Sequence, residues 1–146
     1  FPEKERADVH IIFTAHSLPE RILEWDDPYP QELATTFGLL RSRFPGHESH
    51  FAYQSAAMTP EPWLGPDAGD LMLALIDRGV RNFLVAPIGF VSEHVEILYD
   101  IDIDFKKQVE VAGGRLERIE MPGAELSMMR SLAALIAGKV EEKGWV

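Results

Sequence analysis

The sequence predicts an α/β fold: a doubly wound, mostly parallel sheet of four strands flanked by helices. Three observations carry this. Four short apolar runs alternate with four stretches of helical periodicity, in the order β-α-β-α-β-α-β-α. The 146 residues suit one domain with a full core. Connections of helical length between successive strands favour parallel pairing with right-handed crossovers over hairpins.

The first strand is predicted at residues 9–14, where VHIIFT follows the charged opening FPEKERAD. A helix over 30–43 follows and stops at Phe44-Pro45-Gly46. The second strand is FAYQ, 51–54. The helix over 67–78 places Leu71, Leu75 and Ile76 at helical spacing, with Gly79 set to cap its end. The third strand is 82–87. The next helix runs from 92 to about 111 and ends at Gly113-Gly114. The fourth strand is 115–120. The last helix spans 125–143, with Lys139 and Lys143 where positive charge suits the helix dipole. There is no repeat, low-complexity tract or linker.

Composition narrows the function. The net charge of -10 argues against nucleic acid or an anionic membrane as the main partner. No apolar run is long enough for a membrane span, and no signal segment opens the chain. The chain has no cysteine, which removes disulfides and thiolate-bound metal centres and fits a reducing cytoplasm. It also begins without Met. An excised piece of a longer protein and a trimmed whole one are both open on this ground. No Gly-rich phosphate loop occurs.

In folds of this class, ligands sit beyond the C-terminal ends of the strands. His16, Ser55 and the turn at 89–92 are expected to gather there. His16 is read as lying two or three residues past its strand in FTAHSLPE, in a loop stiffened by Pro19. Imidazole titrates near neutrality and suits proton transfer. Position alone leaves open a histidine that merely caps a strand end. Glu96, Asp100 and Asp104 recur at four-residue steps in GFVSEHVEILYDIDIDF. Each step advances about 6 Å and drifts about 40° on an α-helix. Widening to π geometry would remove most of the drift. Glu96 and Asp104 would then lie about 12 Å apart. That is too far for one metal cage with ligands at about 2–2.6 Å, so the row suits a relay for a hydrated cation or for protons. A solvated acidic face is the plain alternative. Against it, Val95, Leu98 and Tyr99 are expected to be the buried stripe. Asp102 is expected on plain surface, and His94 at the helix start rather than as a co-ligand. His47 and His50 read as solvated. In YQSAAMTPEPWLGPD, three prolines hold the loop extended. Trp63 and Met58 there offer either a core plug or the rim of a pocket for a large planar ligand.

Together these segments resemble the ferrochelatases, which insert ferrous iron into a porphyrin in haem synthesis. The matching stretches are FTAHSLPERI, DPYPQELATT, YQS with TPEPWLGPD, VAPIGFVSEHVEILYDIDIDF and, more loosely, the last helix. The resemblance implies two similar α/β lobes with the porphyrin cleft between them. Residues 1–146 would form the C-terminal lobe. The absent N-terminal lobe would supply the other cleft wall and hold porphyrin propionates, which favours the excised-piece reading. His16 and Glu96 are the implied catalytic pair. His16, Glu96, Asp100 and Asp104 are the implied metal-handling residues, and Ser55 and Trp63 line the porphyrin pocket.

The resemblance also implies that Fe²⁺ enters as a substrate, with no permanently bound cofactor. The lack of cysteine excludes the cysteine-ligated [2Fe–2S] cluster that some members carry. The form TPEPWLGPD looks more like the soluble bacterial enzymes that use coproporphyrin III than the membrane-associated type that uses protoporphyrin IX. A cytoplasmic location follows from that likeness. The lobe alone is expected to be inactive or nearly so, with apolar surface exposed where its partner docks. Two other readings stand beside this one. A small single-lobe cobalt or nickel chelatase for tetrapyrroles would explain the length, although the PWLGPD loop is foreign to that group. A lobe that binds porphyrin without inserting metal is the other.

Overall fold

A computed structural model describes residues 1–145; Val146, the last residue of the expected lobe, lies outside them. The four apolar runs pair into one parallel sheet in the order β2-β1-β3-β4. The strands are β1 (Val9–His16), β2 (Ser49–Gln54), β3 (Asn82–Ala86) and β4 (Arg115–Arg118). The α-helices are α1 (Tyr29–Arg41), α2 (Ala68–Asp77), α3 (Lys106–Val111) and α4 (Leu126–Lys143). A π-helix, Ile97–Phe105, runs directly into α3. Helices lie on both faces, so the doubly wound α/β expectation holds.

The alternation of side chains along each strand splits the core in two. Ile12, Phe83, Val85 and Leu116 point to one face and pack with Met72 and Ile76 of α2, with Ile97, Ile101 and Phe105 of the π-helix, and with Val109 of α3. Ile11, Phe13 and Ala86 point to the other face and pack with Phe37 and Leu40 of α1.

Several local expectations fail. Two 3-10 turns, Glu3–Asp8 and Glu20–Trp25, stand where no element was predicted. Strand β1 runs on through His16, which pairs with Gln54 and so ends the strand instead of following it. Residues 92–94 are irregular, and helical structure begins at Val95. The buried stripe is Ile97, Ile101 and Phe105, while Val95, Leu98 and Tyr99 are exposed. Widening of the helix accounts for this: four-residue steps stay in line on π turns, so the apolar stripe also advances by four. His50 is not freely solvated. Its Nε2 lies 3.0 Å from Nδ1 of His10 on the neighbouring strand, and His47 Nδ1 lies 3.1 Å from the Val9 carbonyl oxygen.

Candidate active site

The C-terminal ends of β1, β2 and β3 carry His16, Ser55 and the loop over residues 87–94, which meet the π-helix at one edge of the sheet. Gly89 makes the approach possible. A Cβ there would sit 2.7 Å from Ala15 Cβ, which no side chain tolerates, and its N–H donates to the Thr14 carbonyl at 3.2 Å.

His16 is fixed at both ends. Its Nδ1 hydrogen-bonds the Ser17 carbonyl oxygen, and its own carbonyl accepts from the Tyr29 hydroxyl at 2.8 Å. Burial pushes the Tyr29 phenol up to about 12, so it stays a donor across the neutral range. A carbonyl oxygen only accepts, so the Nδ1 that meets it carries the proton. In neutral His16 the lone pair is therefore on Nε2, which faces Glu96 Oε2 at 3.6 Å. Two acceptors turned toward each other repel unless a cation lies between them. A proton on Nε2 meets that need. So does a divalent ion held by both atoms at about 2.0–2.2 Å.

His94 sits on the other side of the same oxygen. Its Nδ1 is 3.8 Å from Glu96 Oε2, its ring packs on Phe90 at 4.6 Å, and its Nε2 is buried without a hydrogen-bond partner. The expectation of a helix-start residue far from Glu96 assumed a helix through position 94. The chain is irregular there, and the imidazole folds back beside the carboxylate.

The acidic row is in place. Glu96 and Asp100 are half-buried and Asp104 is exposed, so the row leads from the histidines to solvent. Asp100 accepts from the Ser55 hydroxyl. Ser55 takes φ +61°, an unusual conformation for a residue with a side chain. Behind it the buried Gln54 amide approaches Ser55 Oγ at 3.5 Å and accepts from Thr14 at 2.7 Å. The expected pocket-lining residue is thus also a tie between β2 and the π-helix. Asp104 accepts from Gln108 at 3.1 Å. Trp63 is partly exposed in a loop zipped to the one after His16: Pro19 bridges Trp63, and Leu64 N–H donates to Leu18 at 2.9 Å. Trp63 is too exposed to be a core plug, and Met58 is fully exposed. Among the described residues, no group of three or more His, Cys, Asp or Glu side chains is arranged to hold a metal ion.

One further contributor is signalled by its phase on a strand. Arg118 lies two residues after buried Leu116 on β4, a charge on the core-facing phase of a strand. Its guanidinium grips both carboxylate oxygens of Asp102 at 2.8 and 2.9 Å and reaches Glu93 at 3.1 Å. Asp102 is therefore a structural anchor, not plain surface.

The sequence matches the family model of ferrochelatase over residues 1–140. It is 42% identical over 146 residues to the coproporphyrin III ferrochelatase of Geobacillus kaustophilus, covering 98% of this chain and 46% of that protein. It is 39% identical to the coproporphyrin III ferrochelatase of Bacillus subtilis, covering 95% of this chain and 45% of that one. A protein named ferrochelatase from Herpetosiphon aurantiacus is 40% identical, with 95% and 46% covered. The chain thus spans about half the length of the curated relatives it matches. Among solved structures, a putative cobalamin biosynthesis CbiX protein from Marinobacter aquaeolei shares the fold, with a TM-score of 0.60 at 16% identity over 92% of this chain and 98% of that one. No helix among the described residues is long and apolar enough to cross a membrane. By its family match and its relatives, the chain belongs to the ferrochelatase family.

Proposed function

We propose that this chain forms the metal-handling wall of a site that inserts Fe²⁺ into a porphyrin during haem synthesis. It would act with an N-terminal lobe that completes the cleft. The observation that carries the reading is the pairing of His16 Nε2 with Glu96 Oε2 at 3.6 Å, two acceptors whose gap calls for a cation. Insertion exchanges two pyrrole protons for one divalent ion. His16 and Glu96 take up those protons or hold the incoming iron. Asp100 and Asp104 pass cations or protons between Glu96 and solvent. Ser55 and Trp63 border the macrocycle, and distortion of the ring by the closed cleft turns its nitrogens toward the metal. Iron is a substrate throughout, and no resident cofactor takes part. Coproporphyrin III is the favoured porphyrin, in line with the names of the Geobacillus and Bacillus relatives. The reaction is assigned to the cytoplasm, and the lobe alone to little or no turnover.

The test is a chimera with the N-terminal part of the Geobacillus kaustophilus relative fused ahead of Phe1. Adding ferrous iron should quench porphyrin fluorescence faster for coproporphyrin III than for protoporphyrin IX. His16→Ala should slow insertion by about 10²–10⁴-fold, the usual worth of a positioned acid–base group, with unchanged circular dichroism. Retained turnover in that variant overturns the assignment. Equal rates with the two porphyrins remove the substrate preference alone.

A further inference from the structure

Gln54 is a fully buried amide in an apolar layer. It lies two residues after Ala52, on the phase of β2 that faces the π-helix core. A buried amide is costly unless its groups are paired. The sheet does not call for this one. The Gln54 carbonyl already accepts from Ser17 N–H at 2.7 Å, and the β1–β2 register runs to its end at Gln54. Leucine or methionine would serve the packing equally well.

The bonds that Gln54 makes have one direction. Thr14, also fully buried, donates its hydroxyl to Gln54 Oε1 at 2.7 Å. That turns the Gln54 NH₂, a donor only, toward Ser55 Oγ at 3.5 Å. The Ser55 hydroxyl donates in turn to Asp100 Oδ2. Every donor in the chain points toward the middle carboxylate of the acidic row. Ser55 holds its place at φ +61°. Glycine would take that conformation without strain, so what the serine adds is its hydroxyl.

The far end of this chain is anchored beside the imidazole. Thr14 stands two residues before His16 on β1, and its carbonyl accepts from Gly89 N–H. One rigid strand therefore carries both His16 and the anchor from which Asp100 is placed. A fully paired buried network fixes the side chains that belong to it. A half-buried aspartate without such a hold turns freely about its side-chain bonds.

We propose that Thr14 and Gln54 are positioning residues for metal delivery. Through Ser55 they hold the Asp100 carboxylate by Oδ2 and leave Oδ1 to meet a hydrated divalent ion passing between Asp104 and Glu96. This role rests on the reading of the acidic row as the path of the cation.

The test uses the chimera. Gln54→Met keeps the bulk of the side chain and removes both amide groups. It should raise the KM for iron about 2- to 10-fold, the worth of one neutral hydrogen bond, and leave kcat and the KM for porphyrin unchanged. The paired change Thr14→Val with Gln54→Met, which leaves no buried hydroxyl unpaired, should do the same and guards against a folding defect. In an Asp100→Ala background, Gln54→Met should no longer move the KM for iron, because its effect passes through that carboxylate. An unchanged KM for iron in both the single and the paired variant overturns the proposal. So does a fall in kcat alone, or an equal rise in KM with and without Asp100, since each makes Gln54 a general support of the fold. If Asp100→Ala itself leaves the KM for iron unchanged, the cation path fails first and this role falls with it.

Discussion

A carbonyl oxygen has no proton to give, and this one fact fixes the tautomer of His16 and turns its second nitrogen on Glu96. The other imidazole pair works differently. His10 and His50 rings are tilted by only 9° with centroids 5.2 Å apart, too distant for face-to-face contact. They meet edge-on across the 3.0 Å Nδ1–Nε2 gap, where one ring nitrogen donates and the other accepts. Burial, then the neighbouring His10, then Arg41 and Arg78, hold the His50 imidazole below its ordinary value, with Glu48 opposing. The folded chain therefore binds fewer protons than the unfolded one below the ordinary histidine value of about 6.5. Stability from the His50 titration is complete above that value and falls as pH drops from there through the lowered folded value. Melting temperatures of the parent and of His50→Gln, measured between pH 7.5 and 5, should converge as the parent loses its advantage. Parallel curves would mean that His50 does not titrate with folding. HESH suggested solvated histidines because the partner, His10, lies forty residues away and only the β1–β2 register brings it close.

The π-helix is the element on which the acidic row depends. Its four-residue steps were legible, and so was the benefit of widening. The buried stripe was not, because an α-helical period selects Val95, Leu98 and Tyr99, whereas the wider turn buries Ile97, Ile101 and Phe105. One geometry governs both: Ile97, Ile101 and Phe105 step with Glu96, Asp100 and Asp104, one residue out of phase. Such a helix is uncommon and needs bracing. Arg118, 12% exposed at its side chain, is the brace: it joins Asp102 in the middle of the π-helix to Glu93 in the loop before it. Its charged form is strongly favoured by the Asp102 and Glu93 carboxylates. Arg118→Met should cost about 1.5–3 kcal/mol in urea unfolding, the range for hydrogen bonds to charged groups, because Asp102 is accessible enough to rehydrate. Hydrogen exchange should quicken over residues 97–105 and leave β1 and β3 unchanged. Uniform quickening would show that Arg118 stabilises the fold generally and has no special hold on the π-helix.

At the scale of the whole molecule, the parallel sheet and the gathering of His16, Ser55 and the turn at 89–92 at one edge were legible because each βαβ unit is local and carries its own periodicity. Exposed apolar surface was expected too, but not its place, since the sequence of α4 reads the same whether or not a sheet lies beneath it. Net charge is likewise plain in the sequence, but its direction is a property of the folded lobe. Of the formal -10, the row from Glu96 to Asp104 is placed so that its exposed end meets solvent. An aqueous divalent ion approaching that end is drawn inward by a field that salt screens over a Debye length of about 10 Å at 0.1 M. In the chimera, the apparent KM for iron should therefore rise as ionic strength increases from 20 to 200 mM. Asp104→Asn should raise KM at low salt and flatten that dependence, with kcat nearly unchanged. Charges on the other lobe are common to both proteins and cancel in the comparison of slopes. The porphyrin carries carboxylates and is repelled by the same field, so its KM should move the opposite way with salt. If parent and Asp104→Asn share one iron slope, the ladder is a solvated acidic face and the cation path lies elsewhere.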